Sequence, residues 1–168
     1  MGALYRSADH RSHVKSLILA REGHADVTKD LTDSGRWEMI RLAGRLGHRF
    51  AKKDMIVMGG TRRYVAQSAF IVSEVLHVPL HISPELDPNG EVLKSCERAL
   101  ECIKKTDEDG RVIVVLAADW LAQMLAHKVS DKFCLKKRLR VPQRFTLGPG
   151  DAALIDMASP SMTVMANR

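Results

Sequence analysis

Apolar runs of strand length alternate along this chain with stretches of helical period. Residues 14–20 hold Val14, Leu17, Ile18 and Leu19 between charged neighbours, which predicts a short buried strand. Hydroxyl and carboxylate groups at Thr32, Asp33 and Ser34 then precede Trp37, Ile40, Ala43, Leu46 and Phe50 at three- and four-residue steps. That spacing predicts a capped amphipathic helix of about four turns. A second apolar run, 55–58, is broken by Gly59-Gly60 before a helical pattern carrying Val65, Ala69, Val72 and Leu76. A short strand is expected over 79–82, an irregular loop at Pro84, Pro88, Asn89 and Gly90, and a helix over 91–105 facing inward through Val92, Cys96, Ala99, Leu100 and Ile103. After a turn at 107–110 comes the most apolar run, 112–116, rich in valine, as a central strand covered on both faces requires. A helix over about 120–127 and a last strand over 152–157, after a Pro149-Gly150 turn, complete the pattern.

Strands alternating with helices imply right-handed crossovers and an α/β fold, a three-layer α/β/α sandwich with a mainly parallel central sheet. In such a sheet a ligand sits beyond the carboxyl ends of the strands. Three segments converge there: 21–24, 59–64 and 117–120.

The 168 residues, 45% of them hydrophobic, suffice for one core. One domain over 14–168 is expected, after a flexible tail at 1–13. The tail has no apolar run behind a basic start, and no stretch approaches the roughly 18 apolar residues of a membrane span. A cytoplasmic location is the expectation. The three cysteines, Cys96, Cys102 and Cys134, lack Cys-x-x-Cys spacing and are read as structural thiols. His10, His13, His48, His77, His81 and His127 are scattered without metal-ligand spacing, and no phosphate loop or nucleophile elbow is present. Neither a metal nor a cofactor is expected.

A net charge of +6 admits nucleic acid, an acidic protein or a phosphorylated ligand. The densest basic stretch, Lys132, Lys136, Lys137, Arg138, Arg140 and Arg144, has aromatics only at its edges, Phe133 and Phe145. Single-strand binding platforms interleave them. A solvated face or loop is the plainer reading of this stretch.

Leu17-Ile18-Leu19-Ala20-Arg21-Glu22-Gly23-His24, followed by Leu31-Thr32-Asp33-Ser34-Gly35, resembles the opening of the histidine phosphatase (phosphoglycerate mutase-like) superfamily, where a strand ends in Arg-His-Gly and Leu-Thr-x-x-Gly opens a helix. Tyr64-Val65-Ala66-Gln67-Ser68-Ala69 is similar to the family's Arg-Ala-x-Gln-Thr-Ala. Pro84-Glu85-Leu86-Asp87-Pro88-Asn89-Gly90 resembles a loop of the short bacterial phosphohistidine phosphatases, whose length the chain shares. Residues 112–116 with Ala117-Ala118 look like the strand that delivers the family's second histidine. The resemblance spans about 14–157.

It implies a phosphate pocket in which one histidine attacks phosphorus while two arginines and a second histidine hold the phosphoryl oxygens. Of the matched positions Arg21 alone keeps its residue; Glu22, Tyr64 and Ala118 replace the first histidine, the second arginine and the second histidine. Phosphoryl transfer needs an in-line nucleophile and groups that stabilise charge on oxygen, so these departures predict a catalytically degenerate domain, a pseudoenzyme. Arg21 is expected to mark an anion site, helped by Arg62 or Arg63. His24 and Glu85 are secondary candidates. The expected role is binding, of a phosphorylated small molecule or a protein partner. A divergent phosphatase with another nucleophile, and an interaction protein using 132–144 against an acidic partner or nucleic acid, are the alternatives.

Overall fold

The computed structural model describes residues 15–106, 111–137, 145–157 and 161–167, with the backbone alone described at Asp119, Ser130 and 132–137. The expected tail at 1–13, the turn at 107–110, and the side chains of the basic stretch and of Cys134 lie outside the described residues. Six strands are described: β1 (Ser16–Arg21), β2 (Met55–Gly59), β3 (Leu80–Ile82), β4 (Val112–Ala117), β5 (Ala152–Asp156) and β6 (Ser161–Met165). The helices are α1 (Asp33–Arg49), α2 (Arg63–Leu76), α3 (Val92–Thr106) and α4 (Asp119–Lys137).

One sheet runs in the order β3-β2-β4-β1-β5-β6. β3, β2, β4 and β1 are parallel, with Leu19 opposite Val115 and Met58 opposite the same Val115 on its other side. β5 and β6 are antiparallel additions. The mainly parallel sheet holds for the first four strands; β6 was not expected. Its alternation of exposed and partly buried residues is that of an edge strand, a weaker signal than a continuous apolar run.

Strand side chains alternate between two cores, because successive residues point to opposite faces of a sheet. Leu17, Leu19, Ile113 and Val115 pack with Cys96, Ala99 and Ile103 of α3 and Leu121 and Leu125 of α4. Ile18, Ala20, Val112, Val114 and Leu116 pack with Met39, Leu42 and Leu46 of α1 and Val65, Ala69 and Val72 of α2. The result is the three-layer sandwich, α1 and α2 on one face, α3 and α4 on the other.

Three details correct the sequence expectation. In α1 the inward stripe is Gly35, Met39, Leu42, Ala43 and Leu46, while Trp37 is 59% and Ile40 36% exposed. The rotation of α1 is set by contact of its first turn with the loop after β1, which hydrophobicity alone does not encode. In α3, Val92 faces outward at the helix start, and Cys102 is buried instead. Helix α4 runs ten residues beyond the expected end at His127, since no glycine or proline interrupts it before Pro142.

Candidate functional site

Because β1, β2 and β4 are parallel, their carboxyl ends share one sheet edge. A cleft of about 330 Å³ opens there, lined by Arg21, Glu22, Gly23, His24, Ala25, Asp26, Lys29, Tyr64 and Pro149. The loop after β1 forms its floor.

That loop is fixed mainly by residues of the recognisable motifs. Gly23 donates its backbone N–H to Ser68 Oγ at 3.2 Å, and Ser68 in turn donates to the Tyr64 carbonyl at 2.8 Å. The His24 carbonyl accepts from the Thr32 N–H at 2.9 Å and the Thr32 hydroxyl at 3.1 Å. Thr32 also caps α1 by accepting from the Gly35 N–H at 3.0 Å, satisfying a donor that the helix leaves open. A Cβ on Gly23 would lie 2.4 Å from the Gly35 carbonyl oxygen. Only two glycines allow the loop and helix to approach so closely. Gln67 accepts from the Leu31 N–H at 2.9 Å and donates to Asp30 at 2.8 Å. The Leu-Thr-x-x-Gly and Gln-Ser positions therefore work as a frame.

Arg21 ends β1, its backbone N–H bonded to the Asp151 carbonyl at 2.9 Å. Its Nη1 donates to the Leu147 carbonyl at 3.0 Å, and its Nε lies 3.8 Å from Glu22 Oε2. Glu22 is 6% exposed. A buried carboxylate requires such a cationic neighbour. Tyr64 lines the cleft where the resemblance implies an arginine. Ala118 is buried against the α1–α2 core, its carbonyl accepting from the Leu121 N–H at 2.8 Å, and does not line the cleft.

The neighbouring arginines diverge. Arg63 turns to Asp30, Nε to Oδ1 at 2.7 Å, and is absent from the cleft wall. Arg62 reaches the Tyr64 hydroxyl at 3.4 Å and lines a second cavity. Glu85 sits in a single 3-10 turn, Pro84–Leu86, near Cys102 rather than at the cleft. His24 lines the cleft and is exposed, its backbone N–H bonded to Glu38 at 2.8 Å.

Sequence reasoning missed Asp26, Lys29 and Pro149. The signal for the first two was the Asp26-Val27-Thr28 order, which favours an Asx turn. Asp26 Oδ1 accepts from the Thr28 N–H at 2.8 Å and the Thr28 hydroxyl at 2.6 Å, and Lys29 follows with φ 63°. The Thr28 hydroxyl, followed by the Asp30 N–H, holds the Asp26 carboxyl below its ordinary pKa. Two cations, Arg21 and Lys29, thus face two carboxylates, Glu22 and Asp26. Among the described residues the cleft's cations do not outnumber its carboxylates, whereas phosphotransfer sites gather phosphoryl oxygens with a cationic excess. Among the described residues no cluster of three or more His, Cys, Asp or Glu is arranged to hold a metal, and no helix is long and apolar enough to cross a membrane.

No protein-family sequence profile and no curated protein matches this chain. Solved structures do. The putative phosphohistidine phosphatase SixA from Nakamurella multipartitia superposes with a TM-score of 0.70 at 14% identity, over 90% of this chain and 93% of that one. The protein histidine phosphatase SixA complexed with tungstate gives 0.63 at 16% identity, over 90% and 97%. A mycobacterial glucosyl-3-phosphoglycerate phosphatase in complex with VO3 gives 0.61 at 14%, over 90% and 97%. At these TM-scores and over nearly the full length of each chain, this chain shares the fold of these histidine phosphatases.

Proposed function

We propose that this domain is a non-catalytic relative of the histidine phosphatases that acts by binding, with a phosphorylated small molecule as the ligand of the Arg21 cleft. The observation that carries the reading is Glu22, a carboxylate 6% exposed at the position matched to the attacking histidine. A negative oxygen at that point repels an incoming phosphoryl group, and its partner Arg21 is drawn toward it. Ala118 brings neither a proton donor nor a charge, and Tyr64 offers a neutral hydroxyl in place of a guanidinium.

What favours a phosphorylated ligand over none is the retained frame. The loop after β1 is held by Ser68, Thr32 and Gln67, and Arg21 and Lys29 both line the cleft. Two of the similar structures are complexes with oxyanions, tungstate and VO3. Affinity is expected to be weak, because charge-assisted bonds from two cations are opposed by two carboxylates.

The test pairs turnover with binding. Aryl phosphates and phosphohistidine peptides should not be hydrolysed, while phosphate and a phosphorylated sugar should shift amide resonances around Arg21 in the millimolar range. Glu22→Gln should tighten that binding and Arg21→Ala should remove it. A turnover of about 1 per second or more, lost on changing Glu22 or His24, would overturn the non-catalytic reading. Shifts that cluster elsewhere would overturn the ligand.

A further inference from the structure

A second cavity, of about 440 Å³, lies beside the cleft and is lined by Arg62, Pro88, Gly90, Val92, Trp120 and Met124. We propose that it is a binding site in its own right, for a flat apolar ring bearing a negative charge.

The walls supply the apolar part. Trp120 and Met124 are four residues apart in the first turns of α4, so they lie one above the other on the same face. A tryptophan beside a thioether gives a ring both a stacking surface and a sulfur contact. Pro88 and Val92 close the opposite side with carbon. The volume falls in the range of about 300–1,000 Å³ typical of small-molecule pockets.

Arg62 supplies the charge. Among the described residues it is the sole charged side chain lining the cavity. Its guanidinium contacts only neutral acceptors among the described residues, the Tyr64 hydroxyl and the Pro88 carbonyl, both at 3.4 Å. Two long contacts to neutral oxygens leave its charge without a carboxylate partner among the described residues, and a guanidinium fork prefers a carboxylate, sulfonate or phosphate. Arg21 differs, since Glu22 stands beside it in the cleft.

The cavity is also built in advance. Its loop wall is fastened to the residues that lead into α2 through Asp87, which accepts from the Thr61 N–H at 2.9 Å, from the Thr61 hydroxyl, and from the Arg62 N–H at 3.3 Å. The next residue but one is tied to α3, the Asn89 N–H donating to Ser95 Oγ at 3.1 Å. Arg98 donates to the Asp87 carbonyl at 3.1 Å. A wall held on both sides costs little ordering entropy when a ligand enters.

The chain has two tryptophans, so the indole N–H region of a nitrogen-proton correlation spectrum contains one signal inside the cavity and one from exposed Trp37. Trp37→Phe assigns them. Titration with 2-naphthoate should move the Trp120 signal saturably and leave Trp37 in place. The neutral 2-naphthamide should bind about tenfold more weakly, since it forfeits the charge-assisted contact. Arg62→Ala should weaken naphthoate to the same degree, with its spectrum serving as the check on folding. Inorganic phosphate, which has no ring, should leave Trp120 unmoved while still titrating the Arg21 cleft. The proposal is overturned if naphthoate moves Trp37 or neither signal, if amide and acid bind the wild-type protein equally, or if phosphate alone moves Trp120 as far.

Discussion

Of the three glycines in helix α1, two should on replacement by alanine change stability in opposite directions. Gly44 is exposed, and a Cβ there meets nothing within 4 Å. Gly44→Ala should stabilise the domain by about 0.5–1 kcal/mol, the usual gain from restricting the unfolded chain in a helix interior. Gly35 is the third residue of the same helix, and a Cβ there would lie 2.1 Å from the His24 carbonyl oxygen. That is more than 1 Å inside the roughly 3.5 Å separation at which such atoms attract. Both groups near the clash are backbone, so the loop after β1 must move. Moving His24 stretches its carbonyl's two bonds from Thr32 and its own N–H bond to Glu38. Three bonds at about 1 kcal/mol each, offset by the alanine helix gain of up to about 1 kcal/mol, leave a net loss of about 2–3 kcal/mol. For a domain of this size each kcal/mol shifts Tm by about 2–4 °C. Thermal unfolding followed by circular dichroism should therefore place Gly44→Ala a few degrees above the wild type and Gly35→Ala roughly 5–10 °C below it. Equal Tm for the two variants, or a Gly35→Ala protein as stable as the wild type, would refute the close packing of loop and helix on which the cleft floor depends.

Asp87→Ala removes the carboxylate that accepts from Thr61 and Arg62 at the start of α2, and urea denaturation should show a loss of about 1–2 kcal/mol, as for other helix caps. Burial pushes the Cys96 and Cys102 thiols up from their ordinary pKa, so both should resist a thiol reagent at neutral pH until denaturant is added; fast labelling of either in the folded protein contradicts their burial. Thr28→Val deletes the chief cause of the lowered Asp26 pKa, and the carboxyl should titrate closer to its ordinary value in a carbon-detected pH titration. Because the folded value is depressed, the Asp26 contribution to stability is present above the ordinary carboxylate range and fades as pH falls through the depressed value. The stability gap between Thr28→Val and wild type should narrow over that acidic window, and a gap that widens there contradicts the assignment.

The alternation of strands and helices was legible along the chain because burial on both faces of a strand and on one face of a helix leaves local patterns. The runs at 55–58 and 112–116 and the stripe Val65, Ala69, Val72 and Leu76 all proved buried as read. The identities of Glu22, Tyr64 and Ala118 were equally legible, since residue identity needs no fold to be seen. Tertiary structure alone decided the rest. Arg62 and Arg63 are adjacent, yet one lines a cavity and the other pairs with Asp30, because Arg62 is the non-helical cap before α2 and Arg63 its first helical residue, so their side chains leave the backbone in different directions. Trp37 faces outward because the contact between Gly35 and the loop after β1 sets the rotation of α1. β5 runs antiparallel to β1 and β6 antiparallel to β5, and the direction of pairing leaves no mark in a five-residue apolar run. The charge balance of the cleft was hidden for the same reason: Lys29 and Asp26 join Arg21 and Glu22 only once the Asx turn folds them back, and a site's net charge is a sum over neighbours in space.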